Sequence, residues 1–366
     1  MKITAQVTRN PGKFELSNDI VLDDPQEDEV LVKVVASGVC HTDAVALEQQ
    51  AGNSLPQILG HEGCGIVEAV GSKVTDLKKG DHVVMAYPFC GSCVRCRNGL
   101  PGSCERGIEL SFGGHMLDGT TRLHDADGTD IGNLFGQSSF ATYSVCNRRN
   151  TVKVDPDVDL SVLAPLGCGI STGAATVING MRPKPGDSVA VFGTGAVGMA
   201  GLMAAKICGC GPIVAVDVVE SRLELARELG ATHVINSKNE DPIEAIMAAT
   251  DGKGADFSMD TAGIPEVILQ ATRCLACGGT LEFPAVARGP VEFDMNADIM
   301  FPSRTIRGIV QGEAVSEFMI PKLVAFYKAG LFPVDKLIEY YDFDNIEQAF
   351  ADSASGAVIK PVIKIA

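Results

Sequence analysis

The sequence predicts an α/β protein of two domains, one β-rich with long loops and one built on a doubly wound parallel sheet. Three observations predict this. The chain has 366 residues, too many for one ordinary core and ample for two. From about residue 30 to 150 it reads as short apolar runs broken by Gly and Pro. After residue 170, strands alternate with helices of roughly ten to fifteen residues, the rhythm of βαβ units and a parallel sheet.

In chain order, VLVKVVASG, GCGIVEAVG, DHVVMAYP, FATYSV and NTVKV are the strands of the first domain. DSVAVFG, PIVAVD and HVINS are then strands, separated by the helices AVGMAGLMAAKICG and ESRLELARELG. The alternation continues through DPIEAIMAAT, ADFSMDTAG, PEVILQATRCL and GGTLEF. MIPKLVAFYKAG, VDKLIEYYDFDNIEQAFADSASG and AVIKPVIKI add helices and a closing strand that returns to the first domain. The expected division is 1–170 with a return at 311–366, and 171–310 for the inserted domain.

With 46% hydrophobic and 21% charged residues the chain is globular and not disordered. A formal net charge of -16 repels phosphate backbones, which excludes nucleic acid and anionic membranes as partners. The opening MKITAQVTRN reads as a strand and not as a secretion signal, and no run approaches the roughly 18 apolar residues of a membrane helix. A cytoplasmic protein is expected. There, twelve cysteines point to metal or catalysis before disulfides.

GTGAVG at 193–198 fits GxGxxG with Gly193, Gly195 and Gly198, between a strand and a helix. Asp217 closes the next strand, about 20 residues on, in the position that accepts adenosine ribose hydroxyls and repels a 2′-phosphate. The expected cofactor is NAD, held by its pyrophosphate at the helix N-terminus. Arg222, five residues later, softens that preference.

CGSCVRCRNGLPGSC sets Cys90, Cys93, Cys96 and Cys104 at CxxCxxCx7C, suited to a closed tetrahedral structural Zn2+, with an iron-sulfur cluster as the rival. Cys64, Cys146, Cys208, Cys210 and the pair Cys274–Cys277 read as buried packing.

GVCHTDAVAL at 38–47 and GHEGCGIVEAVGSKV at 60–74 put further ligand types beside strands. The second fits GHExxGx5GxxV. With the knuckle, LGCGISTGA around Cys168 and GTGAVG, it resembles the zinc-dependent alcohol dehydrogenases of the medium-chain dehydrogenase/reductase superfamily, over the whole chain. The resemblance implies a GroES-like catalytic domain and a Rossmann cofactor domain, and two Zn2+ per chain. It implies Cys40, His61 and Cys168 as ligands of a catalytic Zn2+, whose fourth position stays open and whose charge lowers the pKa of a substrate alcohol. It further implies that Asp43 holds His61 in its ligating tautomer and that Glu62 is a nearby acid. Thr42 receives the alcohol proton. His41 and Lys360 match basic contacts to the cofactor pyrophosphate.

Two departures matter. Val45 stands where liver-type members carry the histidine that ends the proton relay, which leaves His41 or water as the exit. Pro284, in EFPAVA, stands where the family has an apolar run ending in glycine beside the nicotinamide.

FGQSSFATYSV, NTVKV, APLGCGISTGA and IRGIVQGEAVSEFMIPKLVAFYKAG most resemble the bacterial aryl-alcohol (benzyl-alcohol) dehydrogenases. That implies reversible oxidation of benzyl-type primary alcohols with NAD by a homodimer or homotetramer, and a site widened by the small Ala86. Allylic terpenoid alcohols and the glutathione adduct of formaldehyde are the alternative substrates. The contrary readings are a catalytically silent NAD-binding homologue and a zinc-free quinone reductase, against which stand the retained ligands and Thr42.

Overall fold

The computed structural model describes residues 1–365. The chain divides into two compact units, Met1–Gly169 with Val315–Lys328 and the stretch from Val334, and Ile170–Ala314 with Ala329–Pro333.

Ten strands precede the insertion: β1 (Lys2–Thr8), β2 (Glu15–Leu22), β3 (Glu29–Gly38), β4 (Gln57–Ile58), β5 (Glu62–Val70), β6 (His82–Met85), β7 (Leu123–His124), β8 (Asp130–Asn133), β9 (Tyr143–Asn147) and β10 (Thr151–Lys153). Six belong to the second unit: β11 (Val189–Phe192), β12 (Ile213–Asp217), β13 (His233–Asn236), β14 (Ala255–Asp260), β15 (Leu275–Phe283) and β16 (Thr305–Gly308). Two return to the first: β17 (Ile338–Asp342) and β18 (Lys360–Lys364).

In the first unit β1, β2, β7, β8 and β4 close a small barrel, which leaves no free edge. The second sheet runs β10-β6-β5-β3-β18-β17, with β9 also on β3. β3 is its centre, and Val30, Val32, Val34 and Ala36 are fully buried along it. The antiparallel register of β3 with β5 sets Gly38 opposite Glu62, so the residues just beyond these strand ends, Cys40 and His61, become neighbours. β18 lies antiparallel on β3 with Val362 opposite Gly38, bringing Lys360 to the same end of the sheet.

The second unit is a parallel sheet in the order β13-β12-β11-β14-β15-β16, the doubly wound arrangement in which strand order reverses between β11 and β14. Its core includes Phe192, Val214, Val216, Leu275 and Leu281. A ligand crevice belongs at the carboxyl ends of β11 and β14, where GTGAVG begins. No single described helix is long and apolar enough to cross a membrane.

One sequence expectation fails here. Cys277 is exposed, not buried. The helix Pro265–Arg273 stops before it, and Cys277 lies in β15 between Leu275, paired with Ala255, and Thr280, paired with Phe257. The uneven spacing of those pairs is a bulge, which lifts the intervening residues off the ladder. Cys64, Cys146 and Cys274 are buried, and Cys208 and Cys210 partly so.

Candidate active site

β3 ends because Val39 leads into an extended Cys40 (φ -126, ψ 156) that caps the helix His41–Leu47. Asp43, in the first turn, folds back to accept the Cys40 backbone N–H at 3.1 Å. Its other carboxylate oxygen accepts from Gly60 N at 3.1 Å and lies 2.9 Å from His61 Nδ1. One buried carboxylate therefore ties the Cys40 turn to the start of β5.

A proton on His61 Nδ1, directed at Asp43, leaves the Nε2 lone pair as the ring's free donor. Nε2 is buried without a hydrogen-bond partner. Its surroundings explain that: the ligand atoms of Cys40, His61, Glu62 and Cys168 all lie within 4.8 Å of one another. A buried imidazole nitrogen with no partner, facing two thiols, fits Zn2+ with His and two Cys as ligands. The charges agree. Cys168 hydrogen-bonds Cys40 and, together with the nearby imidazole, holds its thiol well below the ordinary value. Burial disfavours a charged His61, but Asp43 more than offsets it and raises the ring.

Glu62 is fully buried, and Lys360 Nζ donates to both its oxygens at 3.0 and 2.9 Å and to Val39 O at 3.0 Å. The family resemblance matches Lys360 to a pyrophosphate contact. Here its three N–H groups have these three acceptors and it is 3% exposed, so Glu62 is its partner in this structure. Burial works against the ammonium, and Glu62 reverses that and raises it.

Thr42 is half-buried and His41 exposed at the helix start, with Val45 on the following turn. Ala86 is fully buried beyond β6.

Two neighbours of the site escaped the sequence reading. The Phe135 ring lies 4.5 Å from the His61 ring, centroid to centroid. Gln137 donates to His61 O at 2.9 Å and accepts from Gly63 N at 3.1 Å, clasping the backbone on both sides of Glu62. Phe135 (φ 54) and Ser138 (φ 52) are both left-handed, strain of about 1–3 kcal/mol each that the surrounding contacts must hold. The signal in the sequence was the polar run GQSS inside an otherwise apolar stretch.

The knuckle thiols also converge, with ligand atoms of Cys90, Cys93, Cys96 and Cys104 within 4.8 Å of one another. A thiolate tetrahedron around Zn2+ has edges of roughly 3.8 Å. Cys90–Cys96 is 3.9 Å and Cys93–Cys96 is 3.4 Å. Burial opposes ionisation of Cys90, but donors from Ser92 and Cys93 outweigh it and bring the thiol down to about 6.

In the second unit Gly193 (φ 86) makes the turn out of β11, which only glycine adopts freely. A Cβ at Gly198 would sit 1.9 Å from Gly193 O, so the helix Ala196–Ile207 packs on the loop only without one. At Gly195 the same atom would meet nothing within 4 Å, leaving the open approach that a pyrophosphate needs. Asp217 closes β12, and Arg222 is half-buried on the helix Glu220–Leu229. The carboxylate already accepts Thr194 N and Oγ1 on one oxygen, both at 2.6 Å, and Val218 N (2.7 Å) and Val219 N (3.0 Å) on the other.

Comparison with known proteins agrees with this geometry. Residues 26–156 match the family described as alcohol dehydrogenase GroES-like domain, and 196–328 match zinc-binding dehydrogenase. Over 362 residues the chain is 40% identical to the geraniol dehydrogenase of Castellaniella defragrans, covering 98% of this chain and 96% of that one. It is 33% identical to the S-(hydroxymethyl)glutathione dehydrogenase of Saccharomyces cerevisiae, covering 100% and 96%. The crystal structure of benzyl alcohol dehydrogenase from Acinetobacter calcoaceticus superposes with a TM-score of 0.96 at 45% identity, covering 100% of both chains. The paired thiols and imidazole of the first unit, the glycine loop of the second and these matches lead to one conclusion: the chain belongs to the zinc-dependent alcohol dehydrogenases of the medium-chain family, and is an oxidoreductase.

Proposed function

We propose that the protein oxidises benzyl-type primary alcohols to aldehydes, reversibly and with NAD. The observation that carries the chemistry is the buried, unpartnered His61 Nε2 facing Cys40 and Cys168 with Asp43 behind it. The likeness to a benzyl alcohol dehydrogenase supports the aromatic substrate, and a residue as small as Ala86 is in keeping with a site that takes a ring. One methylene alters discrimination by only about 1–3 kcal/mol, so the pocket argument is the weaker of the two. An allylic terpenoid alcohol is the second reading, favoured by the geraniol dehydrogenase relative, and the glutathione adduct of formaldehyde the third.

Zn2+ held by Cys40, His61 and Cys168 would supply the Lewis acidity that makes an alcohol proton labile, and bound NAD would accept the hydride. The chain's own groups do the rest. Asp43 fixes His61 so that Nε2 is the ligating atom. The Thr42 hydroxyl takes the alcohol proton first. With Val45 unable to carry it further, the exposed His41 imidazole passes it to solvent. Lys360 donates to both Glu62 oxygens and opposes the burial that pushes this carboxyl up to about 7 beside the metal ligands. Cys90, Cys93, Cys96 and Cys104 hold a second, structural Zn2+, and Asp217 receives the adenosine ribose. Homodimers or homotetramers in the cytoplasm are the form in which this activity is expected.

A kcat/KM panel tests the substrate: benzyl, allylic terpenoid and short aliphatic alcohols, and formaldehyde with glutathione. Benzyl alcohol should lead. A leading terpenoid would replace the aromatic reading, and no turnover of any of them by zinc-loaded protein would end the enzyme reading. For the proton, His41→Gln should remove the acidic limb of the kcat pH profile; an unchanged profile excludes the imidazole.

A further inference from the structure

A carboxylate offers about four lone-pair sites, and those of Asp217 are all taken by the protein itself. Three of the four donors are backbone N–H groups, of Thr194, Val218 and Val219, fixed by the glycine loop and by the turn after β12. The fourth is the Thr194 hydroxyl at 2.6 Å, the one donor that a bond rotation can withdraw. Thr194 is fully buried and stands between the first two glycines of GTGAVG. The hydroxyl is not needed to orient the carboxylate, which its three backbone donors already hold.

We propose that Thr194 is a specificity-determining residue for the dinucleotide: its hydroxyl occupies the Asp217 acceptor site that a ribose hydroxyl would use, and yields it when the ribose arrives. This rests on the reading of Asp217 as the ribose acceptor. Two consequences follow from the one hydrogen bond. Binding a 2′-hydroxyl costs the protein a charge-assisted bond to Thr194, which weakens NAD. The same bond partly neutralises Asp217, which softens its repulsion of a 2′-phosphate. Thr194 therefore narrows the margin between NAD and NADP from both sides.

The test is direct binding, measured by isothermal titration calorimetry with NAD and NADP on the zinc-loaded full chain, with no alcohol present. Thr194→Val keeps the shape and removes the hydroxyl, and Thr194→Ala removes it without filling the space. Either should lower the Kd for NAD about three- to tenfold, the scale of one hydrogen bond to a charged group, and leave NADP no tighter. Thr194→Ser should match the parent. If both hydroxyl-free variants bind NAD no more tightly than the parent does, the proposal is overturned. If the parent binds neither dinucleotide, the ribose reading of Asp217 fails and takes the proposal with it.

Discussion

Asp43 Oδ1 stands 2.9 Å from His61 Nδ1, both side chains fully buried, while the same carboxylate accepts the backbone N–H of Cys40. The acid thus orients two of the three proposed zinc ligands at once. Asp43→Asn keeps the shape and removes the charge. Zinc affinity and kcat/KM should each fall about 10- to 100-fold, the usual effect of losing a ligand's supporting carboxylate. Zinc retention against a chelator checks it independently of turnover.

Lys360 is the near neighbour that balances Glu62, and both side chains are at most 4% exposed. Removing one partner of a buried pair leaves an unpaired charge and costs about 3–5 kcal/mol. Lys360→Met should lower Tm accordingly, and the double change Glu62→Gln with Lys360→Met should recover most of the loss. Equal melting of the single and double variants would show that the pair does not act as one.

If the knuckle holds a structural metal, Cys96→Ser should reduce the zinc content from two ions per chain to one. It should also lower Tm, because metal binding there contributes folding free energy. Metal analysis would show iron and sulfide in place of zinc if the four thiolates carry a cluster.

His124 on β7 bridges Asp130 on β8 at 2.9 Å and Asp23, just past β2, at 3.0 Å. Burial lowers its proton affinity, but the two carboxylates outweigh burial and raise it above the ordinary histidine value. A raised folded value stabilises below the unfolded pKa, about 6.5, and the benefit disappears as pH rises through the folded value. His124→Gln should therefore lower Tm at about pH 5.5 and have little effect at about pH 9, as melting curves at the two pH values would show.

The parts legible in the sequence are those whose geometry is local. The knuckle packs four thiols into one loop, and GTGAVG carries its strand, turn and helix with it. The metal ligands were legible only through resemblance: Cys40, His61 and Cys168 are joined by the pairing of β3 with β5 and by a turn far along the chain, which no local pattern announces. Lys360 lies 298 residues from Glu62, and its role depends on β18 lying against β3. Gln137 acts through backbone groups, whose satisfaction depends on fold and not on residue type. The Cys277 reading failed because a helix pattern was carried past its end into a bulged strand. Asp217 was found, but Thr194, between the first two glycines of the motif, was not.

The insertion of the second unit between β10 and β17 also sets an order of assembly. During synthesis β3 and β5 are made early, yet β18, which flanks β3 and carries the counter-charge for Glu62, emerges only after the whole parallel sheet. The dinucleotide-type unit is continuous apart from a short segment and can fold as it leaves the ribosome, whereas the first unit must wait with an unpaired carboxylate at its heart. Cys40, His61 and Cys168 are all made before the insertion, so it is only the counter-charge of Glu62, on Lys360, that waits for the end of synthesis.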